Sequence, residues 1–171
     1  GGITQDITAR KRVEAEIRTL NASLEQKVVA RTAELEAAQA QLQETLRQVT
    51  WSEARFRTMF AEAPLGIALV DSLTGQILEL NDRFAAIAGR PRQEMLTSDW
   101  MRITHPDDLE ADLDHMARLN AGEIPGFQMN KRFLKPDGSV VWISMTIAPV
   151  TLKPGESPRH LAMIDDITAR I

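Results

Sequence analysis

The 171-residue sequence is 43% hydrophobic and 26% charged, the balance of an ordinary globular protein, and its net charge of −4 without any basic, aromatic-interleaved stripe excludes a general nucleic-acid binder. It contains no cysteine, which excludes disulfides, thiolate metal sites, cysteine nucleophiles and cysteinyl adducts to a flavin. No apolar run reaches the roughly 18 residues that span a bilayer, no leader-like segment opens the sequence, and the cytoplasm is the expected location.

Charge and texture divide the chain in two. Residues 1–57 carry a net +1 and residues 58–171 a net −5. From about Thr8 to Phe60 there is neither Gly nor Pro, and Ala, Glu, Gln, Leu and Arg dominate. These are strong helix formers, so one helix of roughly 50 residues, about 75 Å long, is expected. A helix of that length needs a partner. Val28, Leu35, Leu42, Val49 and Phe56 recur every seven residues, and Val13, Ile17, Leu20 and Leu24 follow 4-3-4 spacing. Both rows describe the seam of a coiled coil. The step of four from Leu24 to Val28 puts them out of phase, a stutter that locally unwinds the supercoil. A parallel two-stranded coiled coil is the expectation, with a single amphipathic helix lying on a domain as the alternative.

Asp6-Ile7-Thr8-Ala9-Arg10 recurs as Asp166-Ile167-Thr168-Ala169-Arg170. Each copy follows a short apolar run, which suggests a tandem array. Thr8 and Thr168 would cap the helices that follow, Ile167 would bury, and Asp166 would fix the exit angle, with Asp6 and Ile7 as the matching junction residues that couple the preceding unit to the arm. Arg170 or Arg132 is the expected partner of Asp166. The implied layout is the tail of a preceding unit over 1–8, a coiled-coil linker over 9–50, a globular domain over 51–165, and a junction over 166–171.

In the globular part, strands are predicted at 66–71 and 76–80, joined by a turn at 73–75. A short helix, capped by Asn81 or Asp82, ends at Gly89 before Pro91. A longer helix starts at Thr104-His105-Pro106-Asp107-Asp108 and runs through Leu113, Met116 and Leu119 to Gly122. Strands 127–134 and 139–151 flank a Pro136-Asp137-Gly138 turn, and a last strand covers 159–165. In the second of these, Val141, Ile143, Met145 and Ile147 should face the helices while Trp142, Ser144, Thr146 and Ala148 take the other face. Two strands, then helices, then three strands imply an antiparallel sheet with helices on one face, an α+β fold. Leu69, Phe84, Ile87, Leu113, Met116, Met129, Ile143, Met145 and Ile147 are the expected core between the layers and the lining of any ligand pocket.

Of the three histidines, His105 reads as a capping residue at its helix start and His160 as a strand-edge residue. Asp107, Asp108, Glu110, Asp112 and Asp114 spread around a helix without a calcium loop's central Gly, so they read as a solvated face. No Gly-rich phosphate loop, Gly-x-Ser-x-Gly elbow, His-Glu-x-x-His, phosphoacceptor helix or diguanylate-cyclase signature occurs, and no catalytic residue is expected.

Several segments resemble landmarks of PAS domains in the family's order. Arg55-Phe56-Arg57-Thr58-Met59-Phe60-Ala61-Glu62-Ala63-Pro64-Leu65-Gly66-Ile67 resembles the domain's opening. Asn81-Asp82-Arg83-Phe84 before Gly89, His105-Pro106-Asp107-Asp108, and Lys135-Pro136-Asp137-Gly138 through Trp142 resemble later ones. Asp166-Ile167-Thr168 resembles the motif that joins such domains to the next signalling helix. Leu20-Asn21 through Arg31-Thr32-Ala33-Glu34-Leu35 resembles helical linkers between PAS domains and bacterial output domains. The resemblance covers residues 51–170. It implies a five-stranded antiparallel sheet with helices across one face, dimerisation through flanking helices, and regulation of a downstream kinase or cyclase in the same chain. Some PAS relatives hold haem through a histidine on the long helix that carries His115, but Asp112 and Asp114 flank it here, so haem is not expected and a solvated ring is. The cofactor stays open: none, a noncovalent flavin or another small organic ligand. Three functions stand at this point: a dimeric sensor and relay module, a ligand-free dimerisation module, and an α/β enzyme with an unrecognised site.

Overall fold

The structure, a computed structural model, describes residues 2–150 and 153–171. It divides into two compact units, Gly1–Arg55 and Phe56–Ile171, and the division falls inside the first helix.

That helix, α1, runs unbroken over Gly2–Glu62. Its end is set by Pro64, which pushes the residue before it out of helical geometry. Surface pairs follow helical spacing, Arg31 with Glu34 at 3.9 Å and Arg47 with Glu44 at 3.6 Å. The Arg55 guanidinium lies 4.6 Å over the Trp51 ring. The expected capping role of Thr8 is not met. Thr8 sits inside α1, where its hydroxyl donates to the Thr4 carbonyl at 2.9 Å. Asp6 and Ile7 are helical as well. The physical reason is that a threonine can satisfy its hydroxyl within a helix through the carbonyl four residues back, and no residue before Thr8 interrupts the helix.

The second unit is a five-stranded antiparallel sheet with helices over one face. Its strands are β1 (Gly66–Asp71), β2 (Ile77–Leu80), β3 (Phe127–Leu134), β4 (Val140–Pro149) and β5 (Arg159–Asp166), in the spatial order β2-β1-β5-β4-β3. The last strand in sequence is therefore the central one. The predicted strand end at Thr151 lies outside the described residues. Between β2 and β3 come α2 (Asp82–Ala88), α3 (Arg92–Leu96), α4 (Trp100–Ile103) and α5 (Pro106–Asn120). Alternation in β4 places Val141, Ile143, Met145 and Ile147 inward, as the sequence pattern requires.

Two local devices fix the layers. Gly66 lets β1 approach α2: a Cβ there would lie 2.7 Å from Ile164 Cγ1 and 2.8 Å from Phe84 Cα. Asn81 is the N-cap of α2 and the hub of its surroundings. Its Oδ1 accepts from Phe84 N at 3.0 Å and Ile67 N at 2.9 Å, and its Nδ2 donates to Phe60 O at 2.8 Å and Leu65 O at 3.0 Å. One buried amide thus ties the end of α1, β1 and α2 together. Gly89 closes α2 in the left-handed conformation, φ 66°, that favours glycine.

Candidate functional site

Between the sheet and the helices lies a small cavity of about 20 Å³, room for roughly one water molecule. Phe84, Trp100, Met116, Phe133, Met145 and Ile147 provide apolar walls, and Asp112, Lys131 and His160 bring charge and polarity to it. Of the expected pocket residues, Phe84, Met116, Met145 and Ile147 line the cavity. Ile87 and Ile143 belong to the core without lining it, and Met129 packs half-buried against it.

Leu69 and Leu113 are elsewhere. Leu69 is half-buried on the opposite face of β1, whose inward residues are Ala68 and Val70. Both faces of that strand are apolar, so either register satisfies the pattern. Leu113 is 43% exposed, because α5 turns Asp112 and Met116 toward the sheet instead.

Asp112, expected on the solvated face, is buried against Lys131, and both are about 1% exposed. The Lys131 ammonium donates to the Asp112 carboxylate and, at 3.0 Å, to the Thr104 hydroxyl. It also lies 4.7 Å over the Trp100 ring and 5.3 Å over the Phe133 ring. Burial pushes the lysine pKa down, opposed by the charge and hydrogen bond of Asp112. The sequence held a signal for this pair. Lys131 sits two residues from both Met129 and Phe133 on the inward side of β3, and Asp112 lies one turn before the core residue Met116.

His160 is not at a strand edge. It lies in the central strand, 2% exposed, with Nδ1 2.9 Å from the Ser72 hydroxyl. Burial, and then the nearby Lys131 charge, push its pKa down to about 4, so the ring is neutral at pH 7. Ser72 does not line the cavity, and its hydroxyl bonds the ring from the side away from it. His105 accepts from Asp107 N at 3.1 Å as the N-cap of α5. His115 is half-buried, bonds the Ala111 carbonyl at 2.7 Å and stacks on Phe127 at 4.9 Å. Among the described residues no group of three His, Asp or Glu side chains is placed to hold a metal.

At the junction, Ile167 is buried. Asp166 pairs with neither Arg170 nor Arg132. Its Oδ1 accepts from Thr168 N at 3.0 Å, and hydrogen bonding from the Thr168 side chain, with that backbone bond adding to it, holds its carboxyl below the usual range. Arg170 reaches Asp165 at 3.3 Å, and Arg132 is taken by Asp108. Thr168 starts a short 3₁₀ turn, Thr168–Arg170, but caps nothing. Its hydroxyl accepts from Trp142 N at 3.1 Å, because the strand edge beside it presents an unpaired N–H. The Ile167 N–H in turn donates to Trp142 O at 2.9 Å.

The nine seam residues of α1, Val13, Ile17, Leu20, Leu24, Val28, Leu35, Leu42, Val49 and Phe56, are all between 50% and 69% exposed. No helix among the described residues is long and apolar enough to cross a membrane.

A five-stranded antiparallel sheet in the order 2-1-5-4-3, helices over one face, a small core cavity and a helical extension together define a PAS-like domain of the sensory type. Residues 77–162, half of the chain, match the PAS fold family. The chain belongs to that family. It is similar to a probable diguanylate cyclase, DgcE, of Escherichia coli K12, with 31% identity over 121 residues, 71% of this chain and 11% of that protein. It is also similar to the sensor histidine kinase TmoS of Ectopseudomonas mendocina, with 26% identity over 129 residues, 75% of this chain and 13% of that protein. The chain thus spans about an eighth of the length of these relatives. Among solved structures, a PAS domain from Colwellia psychrerythraea aligns with a TM-score of 0.60 at 19% identity, covering 68% of this chain and 98% of that one. A sensory-box histidine kinase domain from Geobacter sulfurreducens aligns at 0.57 and 21% identity, covering 69% and 96%.

Proposed function

We propose that the chain is a sensor and relay module of a larger bacterial signalling protein, resident in the cytoplasm. Two copies pair in parallel through α1, and conformational change in the PAS domain passes along flanking helices to an output domain in the same chain. The observation that carries this reading is the row of nine exposed apolar residues at coiled-coil spacing on α1. The relatives support it, since they are a probable diguanylate cyclase and a sensor histidine kinase and the similar segment is a small part of each.

Replacing both Leu35 and Leu42 with Asp tests the pairing by analytical ultracentrifugation. The unaltered chain should sediment as a dimer and the double variant as a monomer. A dimer that survives the double substitution refutes the pairing.

The size of the cavity favours a second reading for the domain itself. Pockets for organic ligands enclose about 300–1,000 Å³, against about 20 Å³ here. In this reading the PAS core is ligand-free, and it aligns and spaces helices. Native mass spectrometry separates the two: the bare chain mass supports the ligand-free module, and a retained adduct supports a small-molecule sensor whose Met116 and Met145 side chains give way.

A further inference from the structure

Two carboxylates one turn apart on α5 grip two neighbouring residues of β3. Asp112 takes Lys131 on the inward side, at the cavity. Asp108 takes Arg132, whose side chain starts from the other side of the strand. Asp108 Oδ2 accepts from Arg132 N at 2.8 Å and Nε at 2.9 Å, while Oδ1 accepts from an Nη at 2.8 Å. This is the bidentate fork geometry of arginine and carboxylate, with the backbone N–H added. The fork holds the Asp108 carboxyl below the usual range.

The same guanidinium lies 5.1 Å over the Trp142 ring, and Arg132 and Trp142 are direct cross-strand partners. Trp142 is also the residue whose N–H and C=O hold Thr168 and Ile167. An unbroken series of contacts therefore joins the cavity-lining helix to the segment by which the chain leaves the sheet: Asp108, Arg132, Trp142, then Ile167 and Thr168.

We propose that Arg132 is a positioning residue that couples displacement of α5 at the cavity to the hold on the exit segment. It rests on the relay reading above and supplies that reading with a route. Arginine suits the position because its planar fork takes a carboxylate through two parallel bonds along its edge while its face lies on an indole, and a lysine ammonium has no such bidentate edge. When α5 shifts, Asp108 shifts with it, and the guanidinium transfers the movement to Trp142.

The test is hydrogen exchange on the full chain, read at the amides of Ile167 and Trp142. Met116→Phe overfills the cavity and displaces α5. With Arg132 present, exchange at these two amides should rise roughly threefold or more, while Ala162 and Ile164 in the middle of β5 hold. In an Arg132→Ala background, and in Arg132→Lys, the same cavity change should leave the two exit amides within about twofold of that background's own rate. Should Met116→Phe not fold, Met116→Ala perturbs the same helix by leaving space and is read in the same way. An equal response with and without Arg132, or none in its presence, overturns the proposal. The pairing of α1, read independently by sedimentation, would stand or fall separately.

Discussion

Asp112→Ala removes the carboxylate that faces the buried Lys131 ammonium. Both groups are about 1% exposed, so bulk solvent does not reach the ammonium to replace the lost partner. The remaining contacts are the Thr104 hydroxyl at 3.0 Å and the faces of Trp100 and Phe133, none of which carries a formal charge. Breaking one side of a buried pair typically costs about 3–5 kcal/mol. With a urea m-value of about 2 kcal/mol/M for a domain of this size, a 4 kcal/mol loss moves the unfolding midpoint down by about 2 M. The Trp100 indole, 4.7 Å from the Lys131 Nζ, reports the transition by fluorescence.

The loss should depend on pH with a definite sign. Without Asp112, burial is left to act on Lys131, whose pKa falls further below 10.5. Between that lower value and 10.5 the unfolded chain binds more protons than the folded one, so the variant gains stability as pH rises through the window. Replacing both partners, Asp112→Leu with Lys131→Met, removes the charges together. That variant should match the parent or exceed it by about 1–4 kcal/mol. A loss below about 1 kcal/mol for Asp112→Ala at pH 7 would refute the reasoning, because it would mean that the ammonium is not deprived of a necessary partner.

Two further outcomes follow from the same interior. His160 is held neutral with its pKa pushed down to about 4. The folded state therefore binds fewer protons than the unfolded state between pH 6.5 and about 4, and stability is lost as pH falls through that window. At about 1.4 kcal/mol per pKa unit the full effect is about 3 kcal/mol, and His160→Gln should flatten this part of a stability-against-pH curve measured by urea titration. Asn81→Ala leaves donors and acceptors at Ile67, Phe84, Phe60 and Leu65 without their partner. It should cost about 3 kcal/mol or more in the same assay, and a loss under about 1 kcal/mol would show that water takes the amide's place.

Much of the fold was legible because its signals are periodic. The strand pattern of β4, the Gly89 stop and the His105-Pro106 helix start are each imposed by local stereochemistry. What stayed hidden was set by tertiary context. Helices α3 and α4 are five and four residues long, too short for any period to show. They bring Met95, Trp100 and Ile103 into the core and Thr104 to Lys131. Asp112 reads as a surface residue until its partner, 19 positions away in sequence, is known. His160 reads as an edge residue because β5 is last in the chain, whereas the sheet places it in the middle. The repeated pentapeptide misled for a related reason. The turn at Thr168 depends on the backbone of Trp142, a tertiary contact that the five residues themselves do not encode.

The central position of β5 also bears on how the domain is made. Strands β1 and β2 share one ladder and β3 and β4 another, and β5 is the strand that joins the two, pairing with β1 through Gly66↔Ile164 to Asp71↔Arg159 and with β4 through Ile143↔Asp166 to Pro149↔His160. Until β5 is in place nothing joins the β1–β2 pair to the β3–β4 pair, and the edges of β1 and β4 that it covers in the folded sheet stay open. Both edges are templates for unwanted pairing with other chains. Closure requires contacts between residues nearly a hundred positions apart, a topology that folds slowly because the loop-closure entropy precedes the reward. Emergence of residues 159–166 from the ribosome is thus the step at which two fragments become one domain, and a pause in translation before it would prolong the interval in which those edges are bare.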